Sequence, residues 1–395
     1  NNGLIKIVTG VRRCGKSYLL FNLFHNHLLE EGVEEDHIIE VALDDRSNKE
    51  LRDPDNMLKF VKERIVDKET YYIILDEVQL LDEFEDVLNS FLHIRNADIY
   101  VTGSNSKFLS SDLITEFRGR GDEIRIYTLS FREFVSVYDG SLDEAWDEYF
   151  NYGGLPLILS METVEDKVEY LTSLFQKVYL SDIVERNKVR NKDELDELVD
   201  ILASAIGSLT NPSKLAKTFK SVKGKVISDK TLKTYIDYLI DAFLISKAKR
   251  FDIKGKRYIG SPAKYYFEDI GLRNARLNFR QVEITHIMEN IIYNELVKRG
   301  YSVDVGVVTE RKNDERIQRE IDFVVNDGDR RIYIQSAYQM DTEQKTETEL
   351  QSLKLTGDFF KKIVIRMDIP HNFYDNNGFY HCNLIDFLLG TTTLF

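Results

Sequence analysis

Eight residues near the start of the chain, Gly10-Val11-Arg12-Arg13-Cys14-Gly15-Lys16-Ser17, constrain its fold more than any other stretch. Two glycines, a lysine and a hydroxyl stand at the offsets G-x-x-x-x-G-K-[ST]. At average residue usage a random chain of this length matches that pattern about one time in a hundred. The flanks narrow the reading. Leu4–Thr9 is an apolar run that reads as a buried strand, and Ser17–Phe24 reads as a helix. Strand, glycine loop and helix together let backbone N–H groups curl round phosphate oxygens, while the helix N-terminus adds partial positive charge. The expected cradle is Gly10, Val11, Arg12, Arg13, Cys14, Gly15, Lys16, Ser17 and Tyr18. Lys16 would reach the β- and γ-phosphates and Ser17 would offer its hydroxyl to Mg²⁺. Cys14 reads as a small side chain filling its slot, although oxidation there would block nucleotide.

A second apolar run, Tyr71–Leu75, ends in Asp76 and Glu77. Asp76 can hold Mg²⁺ through water and Glu77 can polarise an attacking water as general base. The second acid favours ATP hydrolysis over a GTP switch. A third run, Ile99–Val101, ends in Thr102-Gly103-Ser104-Asn105. If that strand lies between the first two, Ser104 or Asn105 would face the γ-phosphate or the water. His37–Leu43 is a further strand, ending at Asp44 and Asp45.

The segments GVRRCGKS, ILDEVQ, VTGSNS, TLSFREF and YGGLP together resemble the additional-strand P-loop ATPases. Among these, the likeness is to AAA-type ATPases of bacteria and archaea that carry an uncharacterised C-terminal domain. It runs over nearly the whole chain and implies ATP binding and hydrolysis with Mg²⁺, without naming a substrate. It places Ser104 and Asn105 where such ATPases keep a γ-phosphate sensor. It also places Glu116–Arg120 where a neighbouring subunit supplies an arginine finger, with Arg120 ahead of Arg118. A finger in trans presupposes a homo-oligomer; the alternative pairs both arginines with nearby surface acids.

A chain of 395 residues is long enough for several domains. Cys14 and Cys382 form neither a disulfide framework nor a zinc spacing, which fits a reduced, cytoplasmic setting. No apolar run approaches the roughly 20 residues of a membrane span, so no membrane partner is expected. The chain begins at Asn1 rather than Met, which leaves room for a preceding segment. Net charge is −14, yet residues 213–264 hold 14 Lys and Arg against four Asp. Such a basic segment in an acidic chain suggests a polyanionic partner. Its pattern reads as helix, helix and hairpin. Leu232, Tyr235, Ile236 and Leu239 would face a core, and Ser228 would cap the second helix. In a winged helix-turn-helix, Lys230, Lys233 and Thr234 would meet a DNA groove while Lys254, Lys256 and Arg257 grip phosphates. Two alternatives stand beside this: a winged helix used for packing or subunit contact, and basic residues docked on the acidic remainder of the chain.

The tail reads as a helix over 284–299 followed by three strands, with Glu289 on the helix and Asp322 on the second strand. That order resembles the PD-(D/E)xK nucleases, in which carboxylates hold Mg²⁺ and a lysine steadies the attacking water. Here Gln335 stands in place of a carboxylate and Ala337 in place of the lysine. An amide is a weak Mg²⁺ ligand and a methyl group donates nothing. Nuclease activity is therefore not expected, although the domain can still bind DNA or protein. An unrelated α/β cap with two solvated acids is the alternative. The expected fold class is α/β: a P-loop, AAA-like core with an additional strand (1–130), a helical lid (131–209), a winged helix-turn-helix (210–283) and a restriction-endonuclease-like α/β domain (284–395). The expected function is a Mg²⁺-dependent ATPase whose cycle repositions DNA- or protein-binding modules. The alternative is a nucleotide-gated adaptor with negligible turnover.

Overall fold

A parallel sheet needs both faces covered, so its strands read as unbroken apolar runs. The three inner strands of the first sheet obey this rule, whereas its two edge strands carry charged residues and are less buried. The computed structural model describes residues 3–103, 119–224, 226–280, 283–312 and 315–395. It divides into two compact units, the first running to Thr128 with Asp241–Phe243 added. In that unit lie β1 (Ile5–Gly10), β2 (Ile38–Ala42), β3 (Tyr71–Asp76), β4 (Ala97–Thr102) and β5 (Gly121–Ile126). They form a sheet of order β2-β3-β4-β1-β5 in which every pair is parallel. Each residue of β1 is buried, and β3 and β4 are buried at all but one position. A helix over residues 16–30 (α1), α2 (Pro54–Arg64) and α3 (Phe84–Phe91) accompany the strands. Helix α2 starts where Asp53 accepts from Asn56 N and Pro54 takes the first turn, an arrangement that satisfies an orphan donor. Helix α3 buries Phe84, Val87, Leu88 and Phe91, one stripe at helical spacing.

The second unit spans Leu129–Ile240 and Leu244–Phe395. It opens with α4 (Phe131–Val137), α5 (Leu142–Tyr152), a long helical run over residues 164–186 (α6) and α7 (Lys192–Ser204). Next come α8 (Pro212–Lys223), α9 (Asp229–Asp241), β6 (Ile245–Asp252), β7 (Arg257–Phe267) and α10 (Ile270–Arg276). Helix α9 buries Leu232, Tyr235, Ile236 and Leu239, the face its spacing predicts, and the Ser228 hydroxyl accepts from Thr231 N at 3.0 Å. The remainder is α11 (Ile284–Lys298), β8 (Ser302–Lys312), β9 (Glu315–Asp327), β10 (Arg330–Ala337), α12 (Glu343–Lys354), β11 (Lys361–Arg366), β12 (Phe373–Tyr374), β13 (Tyr380–Asn383) and α13 (Leu384–Leu389).

Eight of these strands make one mixed sheet of order β12-β13-β11-β10-β9-β8-β6-β7. Its strands come from both sides of the expected boundary at 283/284. Strands β6 and β7 do form the predicted hairpin, with Gly255 N donating to Asp252 Oδ1 at the turn. The hairpin is not a free wing, because β6 also bonds β8 in parallel, from Arg250 opposite Val305 to Asp252 opposite Val307. Local pattern reveals a strand but not the partner on its other edge. Residues 131–209 cluster within this unit.

The segment Glu268–Arg276 joins the unit's helices to its sheet. Asp269 accepts from Gly154 N at 2.8 Å and from Leu272 N at 3.2 Å. Asn274 donates to the carbonyls of Phe150 and Asn151, and the fully buried Arg273 donates to Ala203 O. Arg276 pairs with Asp196 and Asp200. From α11, the Asn290 side chain both accepts from Phe267 N and donates to Phe267 O. Helix α10 crosses the end of α5 so closely that a Cβ on Gly271 would overlap the Tyr152 carbonyl oxygen. Alanine normally stabilises a helix interior relative to glycine by about 1 kcal/mol. At this position the sign reverses: Gly271→Ala is expected to destabilise the second unit by about 2–3 kcal/mol, read from its denaturant midpoint.

Candidate functional site

Parallel strands end on one edge of their sheet, and ligands of open α/β sheets bind beyond those carboxyl ends. Strands β1, β3 and β4 end there in Gly10, Asp76 and Thr102. Strand β4 lies between β1 and β3, the position required for the third run to face the first two. The loop after β1 bends through three left-handed positions, Gly10 (φ 142°), Arg13 (φ 68°) and Gly15 (φ 103°). A Cβ on Gly10 would overlap the Ile126 carbonyl oxygen, so glycine is required at that point. Val11 and Cys14 are buried, Arg12 is half-buried, and Arg13, Ser17 and Tyr18 are exposed. Cys14 N donates to Val11 O, closing the turn. Lys16 is buried, and its ammonium donates to the Gly10 and Val11 carbonyls, each at 3.2 Å.

Asp76 is buried at the end of β3. Burial pushes its carboxyl up from the ordinary range, while hydrogen bonds from Thr102 and Ser17 pull the other way and Glu77 and Asp44 add repulsion. The Ser17 hydroxyl therefore lies close enough to Asp76 to act on its carboxyl. This hydroxyl and carboxylate are hard oxygen donors suited to Mg²⁺, so the pair fits the ion expected there. Glu77 adopts a left-handed backbone (φ 51°), and its N–H donates to Thr102 Oγ1 at 3.1 Å. Its side chain accepts from Gln79 Nε2. Sequence alone gives Thr102 and Gln79 no role. Both lie inside the quoted segments VTGSNS and ILDEVQ, but nothing in either spacing marks them. Ser104, Asn105 and Arg118 lie outside the described residues. Arg120 is exposed, and its backbone carbonyl accepts from Ile5 N.

In the second unit Lys230 and Lys233 are exposed on α9 and Thr234 is half-buried. Lys254, Lys256 and Arg257 are exposed at the β6–β7 turn, with Arg257 Nε 3.8 Å from Asp252 Oδ2.

A second charged centre surrounds Glu289 and Asp322. Ala337 stands where such nucleases keep a lysine, but a lysine from another strand reaches the centre. Lys264, from β7, places Nζ 2.7 Å from Glu289 Oε1, 2.5 Å from Glu320 Oε1 and 3.6 Å from Asp322 Oδ1. The Tyr266 hydroxyl donates to Glu289 at 2.5 Å and Ser336 N donates to Asp322 Oδ2 at 2.8 Å. Gln335 donates to Glu349 on α12 at 3.2 Å, and its Oε1 is buried without a hydrogen-bond partner. Ala337 packs in the apolar cluster with Tyr333, Leu353 and Val364. Burial and the neighbouring Asp322 push the Glu289 carboxyl up, against the pull of Lys264, to about 7. Burial alone would lower the Lys264 pKa, but Glu289, Asp322 and Glu320 outweigh it and raise it. The only hint in the sequence was a lysine inside an otherwise apolar strand, Ala263–Phe267.

No helix among the described residues is long and apolar enough to cross a membrane. Residues 2–135 match a family described as AAA domain. Residues 143–283 and 285–378 match two families, each described as a domain of unknown function (DUF8612 and DUF4143). The boundary between those two matches falls within a segment whose flanking strands share one sheet. An uncharacterized protein of Haemophilus influenzae is 33% identical over 368 residues, covering 91% of this chain and 88% of its own length. An uncharacterized protein of Methanocaldococcus jannaschii is 28% identical over 398 residues, covering 95% and 83% respectively. Among solved structures, the Aeropyrum pernix ORC1 protein in complex with DNA shares 12% identity at a TM-score of 0.31, covering 69% of this chain and 86% of its own. A likeness that slight carries no argument. The chain belongs to the family of the Haemophilus influenzae protein, and in this chain the shared length holds an AAA domain of the P-loop ATPase type followed by two domains of unknown function.

Proposed function

We propose that this AAA domain hydrolyses ATP and that the cycle drives a DNA-binding second unit. One observation carries the first half: Lys16, Ser17, Asp76, Thr102 and Glu77 meet at one edge of a single parallel sheet. In this reading the loop from Gly10 to Tyr18 binds the triphosphate, and Lys16 exchanges its two carbonyl acceptors for phosphate oxygens. Mg²⁺, held by Ser17 and through water by Asp76, would neutralise charge on the phosphates. Thr102 orients Asp76 through its hydroxyl and Glu77 through the backbone N–H. Glu77 takes the proton of the attacking water. Ser104 and Asn105 would sense the γ-phosphate, and Arg120 would serve a neighbouring copy in a homo-oligomer. Glu77→Gln is expected to cut phosphate release by roughly 10²–10⁴-fold while ATP binding persists. Lys16→Ala is expected to lose ATP binding in calorimetry. A wild-type chain that binds neither ATP nor GTP with Mg²⁺ present refutes the reading.

A specific contact favours a second reading, a nucleotide-gated adaptor with slow turnover. The Gln79 amide occupies the Glu77 carboxylate, which is the group that must meet water. If that clasp restrains Glu77, Gln79→Ala raises basal phosphate release several-fold. If Gln79 helps to place Glu77, release falls.

For the second unit, exposed Lys230 and Lys233 on α9, with Lys254, Lys256 and Arg257 on the hairpin turn, support a DNA-binding, winged-helix reading. The succession α11, β8, β9, β10, α12, β11 supports a nuclease-like ancestry for the rest. A protein partner on the same basic surface is the competing use. Replacing Lys230, Lys233 and Lys256 with neutral residues is expected to lower the salt dependence of duplex affinity, by about 0.9 for each phosphate that is no longer neutralised. An unchanged slope excludes these residues from the DNA interface.

A further inference from the structure

A nuclease-like arrangement calls for a divalent metal ion between Glu289 and Asp322, and the residues present do not fit one. We propose that the Lys264 ammonium is the resident cation of this centre and takes the place of the metal. Three carboxylates from two elements, α11 and β9, converge on that one nitrogen at 2.5–3.6 Å. Lys264 is 2% exposed and tethered through its own strand, so the charge cannot exchange with solvent ions. A divalent ion would have to sit about 2.0–2.6 Å from the same oxygens. It would then lie within a few ångströms of a fixed positive charge, in surroundings that screen little.

The other donors at the centre point the same way. Tyr266 and Ser336 N already engage Glu289 and Asp322, and Gln335 turns its amide N–H toward Glu349. Among the described residues, no group of three or more His, Cys, Asp or Glu side chains is arranged to hold a metal ion. Burial and the neighbouring Asp322 hold the Glu289 carboxyl above its ordinary range, against the pull of Lys264.

The placement has a structural consequence. Lys264 lies in the region matched by one family of unknown function, and Glu289, Glu320 and Asp322 lie in the region matched by the other. Its ion pairs therefore staple the β6–β7 hairpin to the rest of the sheet, and the two regions share one core.

The test uses the full chain without nucleotide and Mn²⁺ as the probe. In the wild type, Mn²⁺ titration followed by electron paramagnetic resonance should show no bound ion that Asp322→Asn removes. The melting temperature of the second unit should be the same in Mn²⁺ and in chelator. Lys264→Met keeps the length of the side chain and removes its charge. That variant should melt several degrees lower, and Mn²⁺ should restore part of the loss, because three carboxylates are then left without their cation. A wild-type Mn²⁺ site abolished by Asp322→Asn overturns the proposal. So does a folded Lys264→Met chain that Mn²⁺ does not stabilise. Should that variant fail to fold, the wild-type titration decides alone.

Discussion

The nucleotide site depends on strand β4 entering the sheet between β1 and β3. Parallel strands present their carboxyl ends along one edge, so each can deliver one functional group to that edge. With β4 inserted, Thr102 stands between the strand bearing the glycine loop and the strand bearing the two acids. One hydroxyl then contacts both: it donates to Asp76 and accepts from the Glu77 backbone. Remove that strand from the middle and Ser17, Asp76 and Glu77 remain, but nothing orients them as a set. The left-handed backbone at Glu77 is local strain of the kind held at functional sites by surrounding structure, here by Thr102 and Gln79.

The second unit follows a different rule, that buried polar groups must find partners. Its interior holds Arg273, Asn274, Asp269, Lys264 and Glu289, all close to fully buried. Each is tied to a distant element: Arg273 to α7, Asn274 to α5, Asp269 to the glycine turn at Gly154, and Lys264 to α11 and β9. Breaking one such pair leaves an unpartnered group in a dry interior, which costs far more than the pair contributes when intact. The unit's helices and its sheet are thereby committed to one another through residues 264–276, a stretch in which buried polar groups alternate with buried apolar ones.

Much of the first unit was legible because its chemistry is written in short, contiguous segments. Gly10–Ser17 and Asp76-Glu77 need only local spacing to be recognised, and each strand before them announces itself as an apolar run. The buried face of α9, its Ser228 cap and the turn at Gly255 were readable for the same reason: periodicity and turn chemistry act over a few residues. Thr102 and Gln79 were not, since a threonine at a strand end and a glutamine in a short turn carry no signature by themselves. The second charged centre was half visible. Glu289, Asp322, Gln335 and Ala337 followed from the order of elements, whereas Lys264 comes from a strand placed in another domain by its basic neighbours. Lys230, Lys233, Lys254, Lys256 and Arg257 are surface groups, while Lys264 turns inward.

Local sequence sufficed for the phosphate-binding loop, the paired acids, the helix faces and the strands, because each depends on contacts within a turn or a strand. The folded chain was needed to learn which strands share an edge, that the hairpin over residues 245–267 belongs to the C-terminal sheet, and that an ammonium group lies among Glu289, Glu320 and Asp322. Those outcomes rest on strand pairing and charge compensation between residues apart in the sequence, 25 positions for Lys264 and Glu289. No local pattern encodes which distant group will neutralise a buried charge.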